Sequence, residues 1–470
     1  MTARTAFLGL NRDVGLAPLR IPEFAGSDGV APTPFSIGPA AGAALGCAAS
    51  TVHEIWRLRG GGQQQIAIDL GAVAWSLLSF SLLRLNGEPV PRPSENKPTV
   101  ALHRTADDRY IHLHGGFAHL ERGALNLLNA DNTQASVADA VARWNARALE
   151  DALAHMNLCG AVARTAEEWR TSSQGLAMEG VAPVVLKRIG DAPPLRLGES
   201  AQPLDDIRVL DLTRVLAGPT AGRTLAAHGA DVLGVRAPGL PTVDLFDLDT
   251  GHGKRSTYLD LGKPGDAEAL RGLLRDAHIL VDSYRPGALA DRGLTPEAIA
   301  HTTPGLIYVA ICCYGHRGPW AGRRGWEQLA QTATGIAWEQ GAFVAARDGS
   351  RDVRPILIPA AACDYITGYL AAAGAVAALL RRIREGGSWL VEVSLTATAQ
   401  WLQSLARTPG ARIPASWERP EGLDQFFRSC ETQGGRLDYL GPVVQMSQTP
   451  PGWRCPPPQP GADLPVWLSH

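Results

Sequence analysis

The chain has 470 residues, long enough for more than one domain at roughly 100–200 residues each. Its 45% apolar content supports a packed core, and its net charge of −2 removes any global pull toward nucleic acid or anionic membrane. No uncharged apolar run reaches the roughly 18 residues of a membrane span, and the N-terminus lacks a secretory apolar segment. The seven Cys follow no disulfide spacing, so reduced thiols in a cytoplasmic protein are expected.

Residues 1–34 read as an N-terminal arm. From Gly42, "GAALGCAASTVHEIWRLRGGGQQQIAIDL" predicts a helix of small residues, a Gly turn and an alternating strand, with a second helix in "GAVAWSLLSFSLL". The pattern recurs from Gly368 in "GYLAAAGAVAALLRRIREGGSWLVEVSL", again followed by a helical run, "TATAQWLQSLA". "RGGGQQQIAIDL" and "REGGSWLVEVSL" align without a gap at a shift of 325 residues, which marks a partial duplication. Residues 35–98 therefore form a first copy plus the Pro-rich linker "NGEPVPRPSENKP".

Residues 99–202 read as a small α+β domain. "TVALHRTADDRYIHLHGG" predicts a hairpin, and "SVADAVARWNARALEDALAHM" and "TAEEWRTSSQGLAMEG" predict helices. His112, His114 and His119 are near enough in sequence to suggest a metal site, but no further ligand at metal spacing completes it, so no metal is assigned.

Residues 203–405 alternate strand and helix: "IRVLDLT", "GPTAGRTLAAHG", "ADVLGVR", "GDAEALRGLLRDA", "HILVDSY", "GLIYVAICCYG". Near-continuous apolar strands in that alternation predict a parallel sheet covered on both faces, with ligands outside the carboxyl ends of the strands. Those ends are "TRVLAGP", "VRAPG", "DSYRPG" and "YGHRGP". Neither a G-x-G-x-x-G nor a G-x-x-x-x-G-K-[ST] loop is present, so a nucleotide-like ligand would be held in another way. Residues 406–470 are Pro-rich and read as an irregular C-terminal arm.

"VLDLTRVLAGPTAGRTLAAHGADVLGV", "GKRSTYLDLGKPGDAEALRGLLRDAHILVDSYRPGAL" and "GWEQLAQTATG", in order and at suitable spacing, resemble the family III CoA-transferases. That family takes in formyl-CoA transferase, carnitine CoA-transferase and the related α-methylacyl-CoA racemases. The resemblance runs from about Asp205 to Ala406. Residues 35–200 look like a second copy without its Rossmann-like opening, so the whole resembles a rearranged fusion. The resemblance implies a Rossmann-like α/β domain with a smaller α+β domain, acyl-CoA as substrate with a carboxylic acid acceptor, no tightly bound cofactor, and a homodimer.

By the same resemblance, Asp364 in "AACDYITGYL" is the nucleophile that attacks the acyl-CoA thioester, and Glu327 in "GWEQLAQ" assists it. The simpler reading of Asp364 is a helix N-cap. CoA would meet Val215, Leu216 and Ala217, the adenosine region Leu259, Ser283 and Tyr284, and a CoA phosphate Arg324. Lys254 and Arg255 are further candidates for phosphate. His316 stands where the family has Gln; as an acid or base it keeps a racemase reading open, and the rearranged halves keep open an inactive CoA-binding subunit.

Overall fold

A computed structural model describes residues 2–15, 19–92, 97–407, 414–418 and 422–468. The alternation from Ile207 onward folds into a parallel sheet. Its strands lie in the spatial order Lys254–Tyr258, Asp231–Arg236, Arg208–Leu212, Ile279–Asp282, Ile307–Cys312 and Ser388–Ser394, every neighbouring pair parallel. In chain order this is 3-2-1-4-5-6, the doubly wound arrangement. Successive residues divide between two cores. Val209, Ile279, Val281, Ile307 and Val309 pack on one side, while Leu210, Leu233, Leu280 and Tyr308 pack on the other. A strand buried on both faces must be apolar at every position, which is why these strands read as continuous apolar runs.

A seventh strand, Val185–Gly190, closes the far edge antiparallel to Ser388–Ser394. The sequence reading puts this segment in the 99–202 domain; it belongs to the large sheet instead. Lys187 and Arg188 suit an exposed edge, and Lys187 Nζ lies 2.7 Å from Glu392 Oε2. The remaining small unit holds the expected hairpin, Val100–Arg104 with Tyr110–His114, extended by Gly160–Val162. "TAEEWRTSSQGLAMEG" breaks into two short helices, because Ser172 caps the second by accepting the Gly175 N–H.

The duplicated segments fold alike. Helix Ile37–Leu58 corresponds to Ala362–Glu385, strand Ile66–Asp69 to the end of Ser388–Ser394, and helix Leu70–Ser76 to the start of Leu395–Ser404. Even the caps correspond: Asp69 accepts the Ala72 N–H and Ser394 accepts the Ala397 N–H. The two long helices pack against each other. Their strands part company. Ser388–Ser394 completes the parallel sheet, whereas Ile66–Asp69 lies between Glu23–Ala25 and Val444–Met446 in a separate three-stranded sheet.

Residues 406–470 are less irregular than expected. Phe427–Thr432 and Gly435–Leu440 form a hairpin that adds to Arg84–Leu85. Alternation on either side of "QGG" is the signal for it. The helix Ala362–Glu385 is long and apolar enough to cross a membrane, but its apolar stretch is 94% buried within the protein.

Candidate active site

The order of the sheet reverses between Arg208–Leu212 and Ile279–Asp282, and the loops leaving these two strands open a crevice. A cavity of about 370 Å³ lies there. Val215, Leu216 and Ala217 line it from the first loop, and Ser283 and Tyr284 from the second. Arg324, Glu327 and Asp364 complete the set, so eight of the nine residues expected from sequence share one cavity. The small unit supplies Phe117, Leu120 and Cys159 from the same chain.

Leu259 is the exception. It is buried in the apolar core with Leu233 and Val235, its N–H bonded to the Arg236 carbonyl, and does not reach the cavity wall. Lys254 and Arg255 are also taken up structurally. Lys254 Nζ is buried, donating to Asp211 Oδ2 at 2.8 Å and to the Pro219 carbonyl at 2.7 Å, and Arg255 pairs with Asp231. Neither is available to a phosphate. His316 Nε2 lies 3.1 Å from the Val393 carbonyl, to which it can only donate, and the ring lines a separate small pocket with Glu392. It is not among the residues that line the Asp364 cavity, although Cys312, 3.5 Å from its Nε2, is.

The buried Lys254–Asp211 pair shapes the first loop. Asp211 Oδ1 accepts both the Thr213 N–H and its hydroxyl, drawing the turn tight. Two residues later Val215 has φ of 74°, a left-handed conformation that a β-branched side chain rarely adopts. Strain of this kind persists only where surrounding contacts hold it, and it is common at ligand sites. The helix Ala217–Ala226 then starts directly under the Asp364 helix. Gly368 permits the approach: a Cβ there would stand 2.5 Å from the Ala217 carbonyl oxygen. Four helices begin at this cavity, at Ala217, Glu327, Ala362 and Leu395, so the positive ends of their dipoles converge on it.

Asp364 is not the N-cap. Ala361 holds that position without a side-chain cap, and Asp364 is the third residue of the helix. Its carboxyl group accepts no hydrogen bond from a described residue. Burial, and then the neighbouring Glu327, push its pKa well above the usual carboxylate range. Glu327 opens its own helix and is 6% exposed. Its Oε1 accepts from Gln331 Nε2 at 2.6 Å and from the Cys363 N–H at 3.2 Å. Gln331 is itself fixed, its Oε1 accepting the Ile358 N–H at 2.8 Å. Burial raises Glu327 to about 7 against these two hydrogen bonds. Both bonds fall on Oε1, which leaves Oε2 without a partner among the described residues.

Two arginines escaped the sequence reading. Arg214 lies with its guanidinium 5.3 Å from the Phe117 ring centre, and Arg285 donates to Asn157 Oδ1 and the Gly322 carbonyl. Each adjoins an expected residue, Val215 or Tyr284, so counting basic side chains in "TRVLAGP" and "DSYRPG" would have found them. With Arg324 they form a cationic group, and among the described residues none of the three pairs with a carboxylate. Arg324 Nε is buried without a partner. Burial lowers the pKa of Arg214 and Arg285, and Arg324 lowers both further. Unpaired arginines held together at a crevice are a ready-made anion site. Phe117, Leu120 and Cys159 had no local signal in the sequence. His112 and His114 form a wall behind the cavity: His112 Nδ1 lies 3.3 Å from Thr332 Oγ1, and His114 stacks 4.2 Å from Trp326.

The sequence pattern of CoA-transferase family III matches residues 204–409. An acetyl-coenzyme A transferase of Hypoxylon pulicicidum is 30% identical over 67% of this chain and 56% of its own length. A succinyl-CoA:glutarate CoA-transferase of Mus musculus is 31% identical over 51% of this chain and 56% of its own. A formyl-CoA:oxalate CoA-transferase of Rhodopseudomonas palustris is 35% identical over 39% and 44% respectively. A solved CAIB/BAIF family protein from Brucella suis is 27% identical over 50% of this chain and 65% of its own, with a TM-score of 0.38. The chain spans about half the length of the curated relatives it matches. Residues 204–409 of the chain are thus similar to CoA-transferase family III.

Proposed function

We propose that the protein is an acyl-CoA:carboxylate CoA-transferase with Asp364 as nucleophile. The observation that carries the reading is the Asp364 carboxyl itself: raised in pKa by burial, without a hydrogen-bond donor among the described residues, and lining a cavity together with Arg214, Arg285 and Arg324. A carboxylate in water is a weak nucleophile, and removing its solvation raises its reactivity.

The chain's own residues account for each step. Arg214, Arg285 and Arg324 hold the phosphates of CoA. One Asp364 oxygen attacks the thioester carbonyl, and the C–S bond breaks. CoA leaves as its thiolate and a mixed anhydride remains. The thiolate then attacks the γ-carbonyl of Asp364 and releases the first acid, which carries away one aspartyl oxygen. The acceptor carboxylate attacks the resulting aspartyl thioester, giving a second anhydride and thiolate. Attack of that thiolate on the acceptor carbonyl releases the new acyl-CoA and regenerates Asp364. Each tetrahedral intermediate bears an oxyanion, and the helix N-termini at Ala217 and Glu327 favour negative charge there. Glu327, protonated below about pH 7, adds an O–H donor from Oε2.

The small unit supplies Phe117, Leu120 and Cys159 to the cavity, which limits water around the anhydride. They come from the same chain, so a homodimer in the cytoplasm, which the family resemblance leads us to propose, is not needed to complete the site. The test follows one oxygen. With an acceptor acid labelled in both carboxylate oxygens, multiple turnovers should move one labelled oxygen through Asp364 into the released donor acid. Transfer of CoA without that label would exclude the aspartyl route. Exchange of the α-proton without CoA transfer would instead identify an epimerase.

A further inference from the structure

Gln331 is 0% exposed, on a helix whose other buried residues include Leu329, Ala330 and Ala333. A buried amide is costly unless its hydrogen bonds are made, and a Leu would fill the space without that demand. Gln331 is not among the residues that line the cavity, so it does not meet a ligand directly. Its bonds go to the two segments that carry the carboxyl groups. Position 331 is one turn after 327 on the same helix face, and Gln331 Nε2 donates to Glu327 Oε1 at 2.6 Å. Gln331 Oε1 accepts the Ile358 N–H at 2.8 Å, from the segment that leads into the Asp364 helix. A backbone N–H can only donate, so the amide oxygen must face Ile358 and the amide nitrogen must face Glu327. Cys363, the residue before Asp364, donates its N–H to the same Glu327 oxygen at 3.2 Å.

These bonds close a ring: Glu327 to Gln331, Gln331 to Ile358, along the chain to Cys363, and back to Glu327. Two donors hold Oε1, so the carboxyl group cannot turn without breaking both. Oε2, with no partner among the described residues, is the oxygen left for a ligand. We propose that Gln331 is a positioning residue for acyl transfer: it holds Glu327 by one oxygen so that the other is free to bond the group reacting at Asp364. This rests on Asp364 being the nucleophile. Without the Gln331 amide only the Cys363 N–H holds the carboxyl group, and the tie to Ile358 is lost.

The test uses the full-length protein with butyryl-CoA and hydroxylamine, and reads the rate at which the Asp364 hydroxamate forms by mass spectrometry. Gln331→Met keeps the length of the side chain and removes both of its bonds. It should lower kcat for labelling about tenfold, as expected for one buried hydrogen bond, with KM for butyryl-CoA changed less than about twofold. In the Glu327→Gln background the same change should cost no more than about twofold, because Gln331 acts through Glu327. An equal drop in both backgrounds would mark a general loss of packing and overturn the inference. Gln331→Glu decides the matter if Gln331→Met folds poorly. Its carboxyl group can donate to Glu327 only while protonated, so its rate relative to wild type should rise at least about threefold from pH 8 to pH 6. The titratable groups that interact with Glu327 are Asp364, Cys313 and Cys363; burial keeps both thiols protonated over this range, and Asp364 is common to both proteins. A ratio unchanged by pH would overturn the inference while leaving the nucleophile intact. No Asp364 label in the wild-type protein would remove the nucleophile and the inference with it.

Discussion

Helix Ile37–Leu58 and helix Ala362–Glu385 are equivalent parts of a duplicated unit, yet among the described residues only the second lends a side chain, Asp364, to the cavity at the switch point. At the third helical position one copy has Pro39 and the other Asp364. Both residues suit a first helical turn. Pro lacks an N–H that would go unused there, and an acid is favoured by the dipole. The fold is therefore indifferent to the choice, and chemistry decides it. What makes Asp364 different is its surroundings. Its strand, Ser388–Ser394, joins the doubly wound sheet, and Leu395, just past the strand's end, lines the cavity. The equivalent strand of the first copy pairs with Glu23–Ala25 and Val444–Met446, in a sheet that has no such point.

The largest effect that separates the copies is at these two positions. Asp364→Asn should lower kcat by about a thousandfold or more, as loss of a covalent nucleophile does, with little change in thermal stability. Pro39→Asp should leave activity unchanged, and in the Asp364→Asn background it should restore none. A steady-state assay of the three proteins settles the point, and rescue by Pro39→Asp would mean that the copies are functionally equivalent.

Next is Glu327, which opens the helix Glu327–Thr334. Glu327→Gln should lower kcat about 10²–10³-fold, the range for removing one acid–base or oxyanion group, with KM for acyl-CoA changed less. Arg324→Ala should act in the opposite way. It should raise KM for CoA thioesters about tenfold, the loss expected of one charge-assisted hydrogen bond, and weaken the salt dependence of KM.

A smaller effect concerns stability. Folding raises Glu327 from 4.5 to about 7, so the folded state holds this proton more tightly than the unfolded chain does. Its stabilising effect is full below pH 4.5 and is lost as pH rises through about 7. The loss is about 3 kcal/mol in total by linkage. Asp364, and Asp282 at about 6, shift in the same direction through burial. The melting temperature should fall between pH 5 and pH 8, and Glu327→Gln should flatten that fall by a few degrees. A melting temperature that rises over this range would show that these acids are not buried as described.

The parallel sheet and the crevice were legible because strands buried on both faces leave continuous apolar runs, and because their ends carry short loops of distinctive composition. The duplication was legible for a similar reason: small-residue helix, Gly turn and alternating strand form a pattern that survives divergence. Other features depend on contacts between segments distant in sequence. Lys254 looks like a phosphate ligand in "GKRS", but Asp211, 43 residues earlier, claims it. Leu259 lies beside the crevice in sequence and behind the sheet in space. Val185–Gly190 alternates weakly and finds its partner only at the sheet edge. Cys159 and Phe117 reach the cavity because the small unit folds over it, and no local pattern encodes that closure.

The central claim is that one of two equivalent helices carries the reacting carboxylate. It is tested most directly by incubating the protein with butyryl-CoA and hydroxylamine, and then mapping the modified residue by peptide mass spectrometry. The account predicts one hydroxamate per chain, at Asp364, and none in the peptide containing Pro39. Modification at Glu327 in place of Asp364, or none under conditions where CoA is transferred, would contradict it.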